Sequence, residues 1–279
     1  MEHIIALITD FGLRNHFAGT MKGVILSIDP GISIVDITHQ VQPQNILEAA
    51  YILADSLPYW PAETIFVAVV DPGVGTERRS LVVKTGTGHQ ILCPDNGVLT
   101  IVEQEYGLIN IYEISRHNRL PGTEAYFTFH GRDIYAYNAG RLATGKILPS
   151  DLGPQVRDPI IKLPIEKPEI HGESITGNII KVEDPFGNLC TNIPAGLLSE
   201  LSIEYGDQLD YTMIETAEKH QTGKLPFVKT FGEVAVKQAL AYMDSSGRLG
   251  FAVNQGNFSN FFNMKAGLLL QVKLTKSIS

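Results

Sequence analysis

The residues best placed to do chemistry stand in Val69-Val70-Asp71-Pro72-Gly73-Val74-Gly75-Thr76-Glu77-Arg78-Arg79, directly after the apolar run Thr64-Ile65-Phe66-Val67-Ala68. A buried strand that ends on a carboxylate, followed by a glycine-bearing turn, returns two arginines seven and eight residues after Asp71. In open α/β sheets ligand sites gather beyond the carboxyl ends of strands, so a carboxylate–guanidinium pair there reads as catalytic. The same residues would also serve as an ion-paired turn. Asp10 closes a second strand pattern in Thr9-Asp10-Phe11-Gly12, where a carboxylate can accept both hydroxyls of a ribose or simply start a turn. His130, in Phe129-His130-Gly131-Arg132-Asp133, precedes a helical pattern. Imidazole is the side chain suited to proton movement near neutrality, and the glycine beside it lets backbone approach a ligand.

Further candidates lie in the second half. Asp184-Pro185-Phe186-Gly187-Asn188 reads as a tight turn that presents the Asn188 amide, either to a ligand or as a cap. Ser245-Ser246-Gly247-Arg248 and Val253-Asn254-Gln255-Gly256-Asn257 are polar loops around a strand, able to offer groups to a base edge or to act as plain hairpin turns. Phe231 is either core or a stacking face.

These residues need elements to hold them. Ile4–Ile8 and Ile32–Ile37 read as strands, and Phe17, Met21, Val24, Ile25 and Ile28 share helical spacing. Asn45 with Glu48 predicts a helix start, with Ile46, Ala50, Leu53 and Leu57 on one face. Leu81–Val83 and Gln90–Leu92 flank Gly86-Thr87-Gly88, a hairpin rather than a phosphate loop because no Gly-Lys-Ser/Thr follows. Arg132–Gly145 predicts another helix. Alternating strands and helices predict a largely parallel sheet covered on both faces. Pro149, Pro154, Pro159, Pro164 and Pro168 then mark an extended linker. Beyond it, short strand-like runs at Ile175–Val182, Gln208–Ile214, Val234–Met243, Leu249–Val253 and Leu268–Leu274 predict a small antiparallel barrel or sandwich.

The 279 residues are 44% apolar and 19% charged, enough to bury a substantial core. A net charge of −8 argues against a nucleic-acid partner and is compatible with a cationic substrate. Cys93 and Cys190 alone suggest neither a disulfide framework nor a zinc site. Met1-Glu2-His3 lacks a basic segment and a cleavage site, and no apolar run approaches the ~18 residues of a membrane span. The expected compartment is therefore the cytoplasm, with no membrane partner.

Taken together, Ile8–Gly12, Val70–Thr76, Arg78-Arg79, Pro94-Asp95-Asn96-Gly97, Phe129–Asp133, Phe186–Leu189 and Thr191-Asn192 resemble, in the same order, the S-adenosyl-L-methionine (SAM) hydroxide adenosyltransferases, relatives of the fluorinase and chlorinase enzymes. The resemblance implies an α/β catalytic domain over residues 1–163, with the proline-rich linker at its end, and a β-barrel domain over 171–279. It implies a homotrimer whose active sites lie between subunits, SAM as the small-molecule substrate, no metal and no further cofactor. Asp71, Arg78 and His130 fall on the family's catalytic set, Arg78 being chosen over Arg79 by its spacing from Asp71. Asp10, Phe129, Asp184, Asn188, Phe231, Ser245, Ser246, Val253 and Gln255 fall on substrate-binding positions. The halogenase branch differs: it has tyrosine at the position of Asp71, lacks the histidine, and has a pocket tryptophan where this chain has Gln44. Ser246 likewise stands where the fluorinase has an arginine in the methionine subsite.

The implied chemistry is coherent. A sulfonium makes methionine a good neutral leaving group at C5′, so the difficulty lies in placing and activating water. Which of the three residues takes its proton stays open at this level. Hydrolysis rather than halogenation is expected, because Asp71 puts negative charge where a halide would have to sit. Two alternatives use the same residues: a hydrolase with a divalent metal on Asp10, Asp71, His130 and Asp133, and a SAM- or adenosine-binding sensor without catalysis.

Overall fold

The computed structural model describes residues 4–215, 220–261 and 271–276. The chain divides into two compact units, Met1–Leu163 and Pro164–Ser279.

In the first unit the order is β1 (Ile4–Thr9), α1 (Phe17–Ile28), β2 (Ser33–Thr38), α2 (Ile46–Ser56), β3 (Ile65–Val69), β4 (Ser80–Thr85), β5 (Gln90–Pro94), α3 (Thr100–Tyr106), β6 (Leu108–Glu113) and α4 (Tyr137–Ala143). The sheet runs β2-β1-β3-β5-β4-β6. The strands β2, β1, β3 and β5 are parallel, but β4 is antiparallel to both its neighbours. The sheet is therefore mixed rather than largely parallel. The cause is the short connection through Gly86-Thr87-Gly88, the expected hairpin, which can only join antiparallel neighbours because a parallel crossover needs a longer chain.

Strand alternation sorts the core between the two faces. Ile5, Leu7, Ile65 and Val67 pack with Met21, Ile25, Ala139 and Leu142 of α1 and α4. Ala6, Ile8, Phe66 and Ala68, equally buried, turn to the other face, where α2 meets β1 and α3 meets β4. The helix start at Asn45 forms as its sequence predicts, with Glu48 N donating to Asn45 Oδ1 at 3.0 Å. The Glu48 carboxylate reaches further back, accepting from Gln42 N at 2.9 Å. The linker does not begin extended, since Pro149–Leu152 forms a 3₁₀ turn closed by Leu148 N donating to Asp151 Oδ2 at 2.8 Å. Beyond it, Arg79 Nη2 donates to Pro159 O at 2.9 Å, Ile161 N to Asp95 Oδ1 at 2.8 Å, and Leu163 N to Thr100 Oγ1 at 2.9 Å.

The second unit contains β7 (Glu169–His171), β8 (Ser174–Glu183), β9 (Asn188–Pro194), α5 (Ala195–Glu200), β10 (Gln208–Ile214), β11 (His220–Pro226), β12 (Ala239–Met243), β13 (Arg248–Val253), α6 (Phe258–Phe261) and β14 (Gln271–Lys276). The antiparallel order is β11-β10-β14-β8-β9-β13-β12, with β7 beside β8. Residues 174–178 of β8 pair with β14 and residues 179–183 with β9, with a register shift between Ile179 and Lys181. One strand thus serves both halves, and the sheet curls into a half-barrel rather than the expected closed barrel. Phe227, the residue after β11, forms an isolated bridge to Ala241 of β12.

Two further expectations change here. Residues 234–238 are not strand: Thr230 N donates to Glu233 Oε1 at 3.0 Å and closes a 3₁₀ turn at Phe231–Glu233, so β12 begins only at Ala239. The segment after Gly187 is not only a turn, since Asn188 opens β9. Residues 268–270, the first part of the last expected strand, lie outside the described residues. No helix among the described residues is long and apolar enough to cross a membrane.

Helix α4 carries the site's histidine segment and rests on α1 through Gly140. A Cβ there would meet Ile28 Cδ1 at 2.7 Å and the Ile25 Cα at 3.5 Å. The end of the Ile28 side chain can move aside for one methyl group, but the α1 backbone cannot yield to a branched side chain. Gly140→Val is therefore expected to destabilise the protein by about 1–3 kcal/mol, and by more than Gly140→Ala, in denaturant unfolding. Equal stabilities for the two variants would contradict this packing.

Candidate active site

Asp71 lies two residues beyond β3, where the buried strand delivers it to the end of the sheet. The chain turns at once, with Val74 N donating to Asp71 O and Thr76 N to Gly73 O, each at 3.2 Å. Gly75 completes this turn at φ 81°, and a Cβ there would lie 2.8 Å from Phe127 O, so a side chain is excluded on both counts. The turn brings Arg78 back over Asp71. Arg78 Nε donates to Asp71 Oδ1 at 2.8 Å, and Nη2 donates to Asp71 Oδ2. The pair is a bidentate fork, with the two side chains 8% and 4% exposed.

Arg78 does more than pair with Asp71. Its Nη2 also donates to His130 Nδ1 at 2.9 Å, while Nη1 donates to Ser80 Oγ at 3.0 Å and to Arg79 O at 3.3 Å. A guanidinium has five N–H bonds and no lone pair to offer, so all five are engaged. Its contact with His130 therefore fixes a tautomer: Nδ1 must present its lone pair, which leaves the proton of the neutral ring on Nε2. Burial, then the charge of Arg78, holds the His130 pKa below the ordinary imidazole value of 6.5.

His130 stands at the start of a π-helical turn, Gly131–Ala136, that runs directly into α4. Phe129, Phe11 and Phe17 form an edge-to-face cluster beside it, with centroids 5.2–6.0 Å apart. Asp10 follows β1 and accepts from Gln44 N at 2.8 Å. Together, Asp10, Phe11, Phe17, Gln44, Asp71, Phe129 and His130 line much of a cleft of about 310 Å³ in the first unit. Sequence reasoning missed Phe11 as a lining residue and took Phe17 for helix packing. The signal was present, since three phenylalanines flank the two segments that carry Asp10 and His130.

Arg79 takes a different partner. Its Nε donates to Asp95 Oδ2 at 2.8 Å, and it also holds the linker at Pro159. Two of the three carboxylates of the metal alternative are likewise engaged by arginines, while Asp10 accepts from Gln44 N. Asp71 is held by Arg78, and Asp133 accepts from Arg132 Nε at 2.6 Å and from Arg119 Nη2 at 3.5 Å. Among the described residues no group of three or more His, Cys, Asp or Glu is placed to hold a metal ion.

The remaining candidates belong to the second unit. Asp184 is exposed in the β8–β9 hairpin, and Asn188 is buried with Nδ2 donating to Glu183 Oε2 at 3.4 Å. Phe231 is half-exposed, its ring 4.9 Å from that of Tyr242. Ser245 and Ser246 are exposed at the β12–β13 turn, where Asp244 Oδ1 accepts from Ser246 N and Arg248 N, each at 2.9 Å. Val253 is buried at the end of β13, and Gln255 adopts φ 50° just after it, its carbonyl held by Lys237.

Fold and site together define a two-unit protein with a carboxylate–guanidinium–imidazole cluster at the mouth of an α/β cleft. The chain belongs to the SAM hydroxide adenosyltransferase family: the model of its N-terminal domain matches residues 5–153 and that of its C-terminal domain residues 177–271. It is 33% identical to an (R)-S-adenosyl-L-methionine hydrolase of Salinispora tropica, over 96% of this chain and 97% of that protein. It is 30% identical to a fluorinase of Nocardia brasiliensis, over 97% of each chain. The crystal structure of an uncharacterized conserved protein from Thermotoga maritima superposes with a TM-score of 0.87 at 36% identity, covering 97% of this chain and 99% of that one.

The depressed pKa of His130 has a consequence for stability. As pH falls through 6.5 an unfolded chain takes up a proton at this position before the folded one does. The contribution of neutral His130 is therefore complete above pH 6.5 and is lost as pH falls through its lower folded value. His130→Gln is expected to lose less stability than the parent over that window in denaturant titrations. Parallel losses in the two proteins would place the acid sensitivity elsewhere.

Proposed function

We propose that this chain hydrolyses S-adenosyl-L-methionine to adenosine and L-methionine, with Asp71, Arg78 and His130 placing and activating the attacking water. Family membership supports the substrate and the reaction, and one observation carries the mechanism: Arg78 holds Asp71 through Nε and Nη2 and His130 Nδ1 through the second N–H of Nη2.

The division of labour follows from the lone pairs. Arg78 has no N–H left for a substrate, so it positions the other two groups. His130 has its Nδ1 lone pair occupied and offers an Nε2 proton, which makes it a donor that orients the attacking water through the lone pair not directed at C5′. Asp71 retains a lone pair on each oxygen beyond those taken by Arg78, and it is the group that takes the proton. In the reaction the water oxygen forms a bond to C5′, the C5′–S bond breaks, and sulfur keeps the electron pair as neutral methionine. The water proton passes to Asp71 and then to solvent. Substrate and water balance this step without an oxidant or reductant. Fixed donors and acceptors in a buried cluster need little reorganisation during reaction. Asp10 is suited to the ribose hydroxyls and the phenylalanine cluster to the apolar faces of the nucleoside.

Asp184, Asn188, Phe231, Ser245, Ser246, Val253 and Gln255 belong to the second unit. The family resemblance assigns these to substrate binding, and we propose that another copy of the chain supplies them within a homotrimer.

Asp71→Asn and His130→Ala are each expected to lower turnover by ~10²-fold or more, followed as adenosine and methionine released from SAM. His130→Gln, which keeps a donor but cannot serve as a base, is expected to retain more turnover than His130→Ala. Wild-type turnover in Asp71→Asn and His130→Ala would move the chemistry elsewhere, and equal inactivity of the two His130 variants would remove the donor role. Mixing an inactive His130→Ala chain with an inactive Asn188→Ala chain is expected to restore partial activity. Co-assembly without recovery would place each site within a single chain.

A further inference from the structure

The side of Arg78 that faces away from Asp71 and His130 is held by a buried pair of hydroxyls. Ser80 opens β4 and is 6% exposed, and its Oγ accepts from Arg78 Nη1 at 3.0 Å. The same Oγ lies 3.0 Å from the phenol oxygen of Tyr135, a residue 0% exposed. The Tyr135 ring also packs beneath the guanidinium, with Arg78 Cζ 5.9 Å from its centroid. Tyr135 belongs to the π-helical turn that begins beside His130, so its position and that of the imidazole are set by one piece of backbone. Burial pushes the Tyr135 pKa upward, and the phenol keeps its proton and its hydrogen-bonding capacity.

We infer that Ser80 and Tyr135 are positioning residues for the hydrolysis: they fix the plane of Arg78, and through it the orientation of the Asp71 carboxylate and the lone-pair side of His130. The physical reason is the count of acceptors around Arg78. Without the Ser80 hydroxyl a buried Nη1–H loses its partner, and an unpaired buried donor is costly. The guanidinium then rotates to recover an acceptor and pulls on both groups bonded to Nε and Nη2. A planar fork cannot shift at one end while remaining aligned at the other. Tyr135 acts one bond further away, by holding the Ser80 hydroxyl in the direction of Arg78. Neither residue lines the cleft formed by Asp10, Asp71, Phe129 and His130, so neither is placed to touch the substrate.

This inference rests on the cluster being catalytic as proposed above, and the test separates the two. In the folded protein, Ser80→Ala and Tyr135→Phe are each expected to lower kcat on the order of tenfold, since small misplacements of catalytic groups are costly. KM for SAM is expected to stay within about twofold, because ground-state binding is untouched. Ser80→Thr, which keeps the hydroxyl, is expected to recover most of the lost kcat. The double variant is expected to lose little more than the worse single one, as for two links of one chain. If Asp71→Asn and His130→Ala lose turnover while Ser80→Ala and Tyr135→Phe keep wild-type kcat, this inference falls and the catalytic reading stands. Lowered thermal stability with kcat intact in the folded fraction overturns it equally. Should Ser80→Thr fail to fold, the volume-conserving Tyr135→Phe and the small Ser80→Ala decide the matter.

Discussion

A buried guanidinium with five acceptors is the constraint on which the site depends. Arg78 stands between Asp71 at the end of β3, His130 before α4, and Ser80 at the start of β4. A charge removed from water is tolerated only when its hydrogen-bonding groups are met and a counter-charge lies close by. Arg78 meets both conditions, and each partner comes from a different element. The strands and the helix must therefore dock correctly for the charge to be accommodated at all. Conversely, the arginine makes the chemical character of its neighbours definite: a carboxylate kept as acceptor and an imidazole kept as donor through Nε2. Stability and chemical polarity in this cluster share one physical origin.

The two adjacent arginines divide their tasks by side-chain direction. Successive residues of an extended segment point to opposite sides, so Arg78 turns to Asp71 while Arg79 turns to Asp95. Arg79 and Asp95 then hold the proline-rich segment through Pro159 and Ile161. The segment that leaves the first unit is thus anchored a single residue away from Arg78. Prolines favour an extended course, but these side-chain bonds fix where that course runs.

The proposed hydrolysis gives chemical meaning to the charge at position 71. A carboxylate clamped by a guanidinium suits proton removal from water and is a poor neighbour for a halide. In general a fold does not by itself fix a chemistry; the side chains of its site do.

Much of the framework was legible in the sequence. Apolar runs located β1, β2 and β3, the Asn45–Glu48 spacing located the start of α2, and the strand-end signals pointed to Asp10 and Asp71, which line the cleft. These are local signals, carried by side-chain periodicity and turn chemistry over a few neighbouring residues. The ordered motifs also identified the family, since each preserves the turn or strand end that a functional group needs. Spacing already favoured Arg78 over Arg79 as the partner of Asp71; only the tertiary structure fixed the tautomer of His130 through a contact spanning 52 residues and joined Ser80 to Tyr135 across 55. It also curled the second sheet into a half-barrel through the shared strand β8. Such outcomes depend on which distant groups meet in three dimensions, where burial makes every unpaired donor costly, and no local pattern encodes that choice.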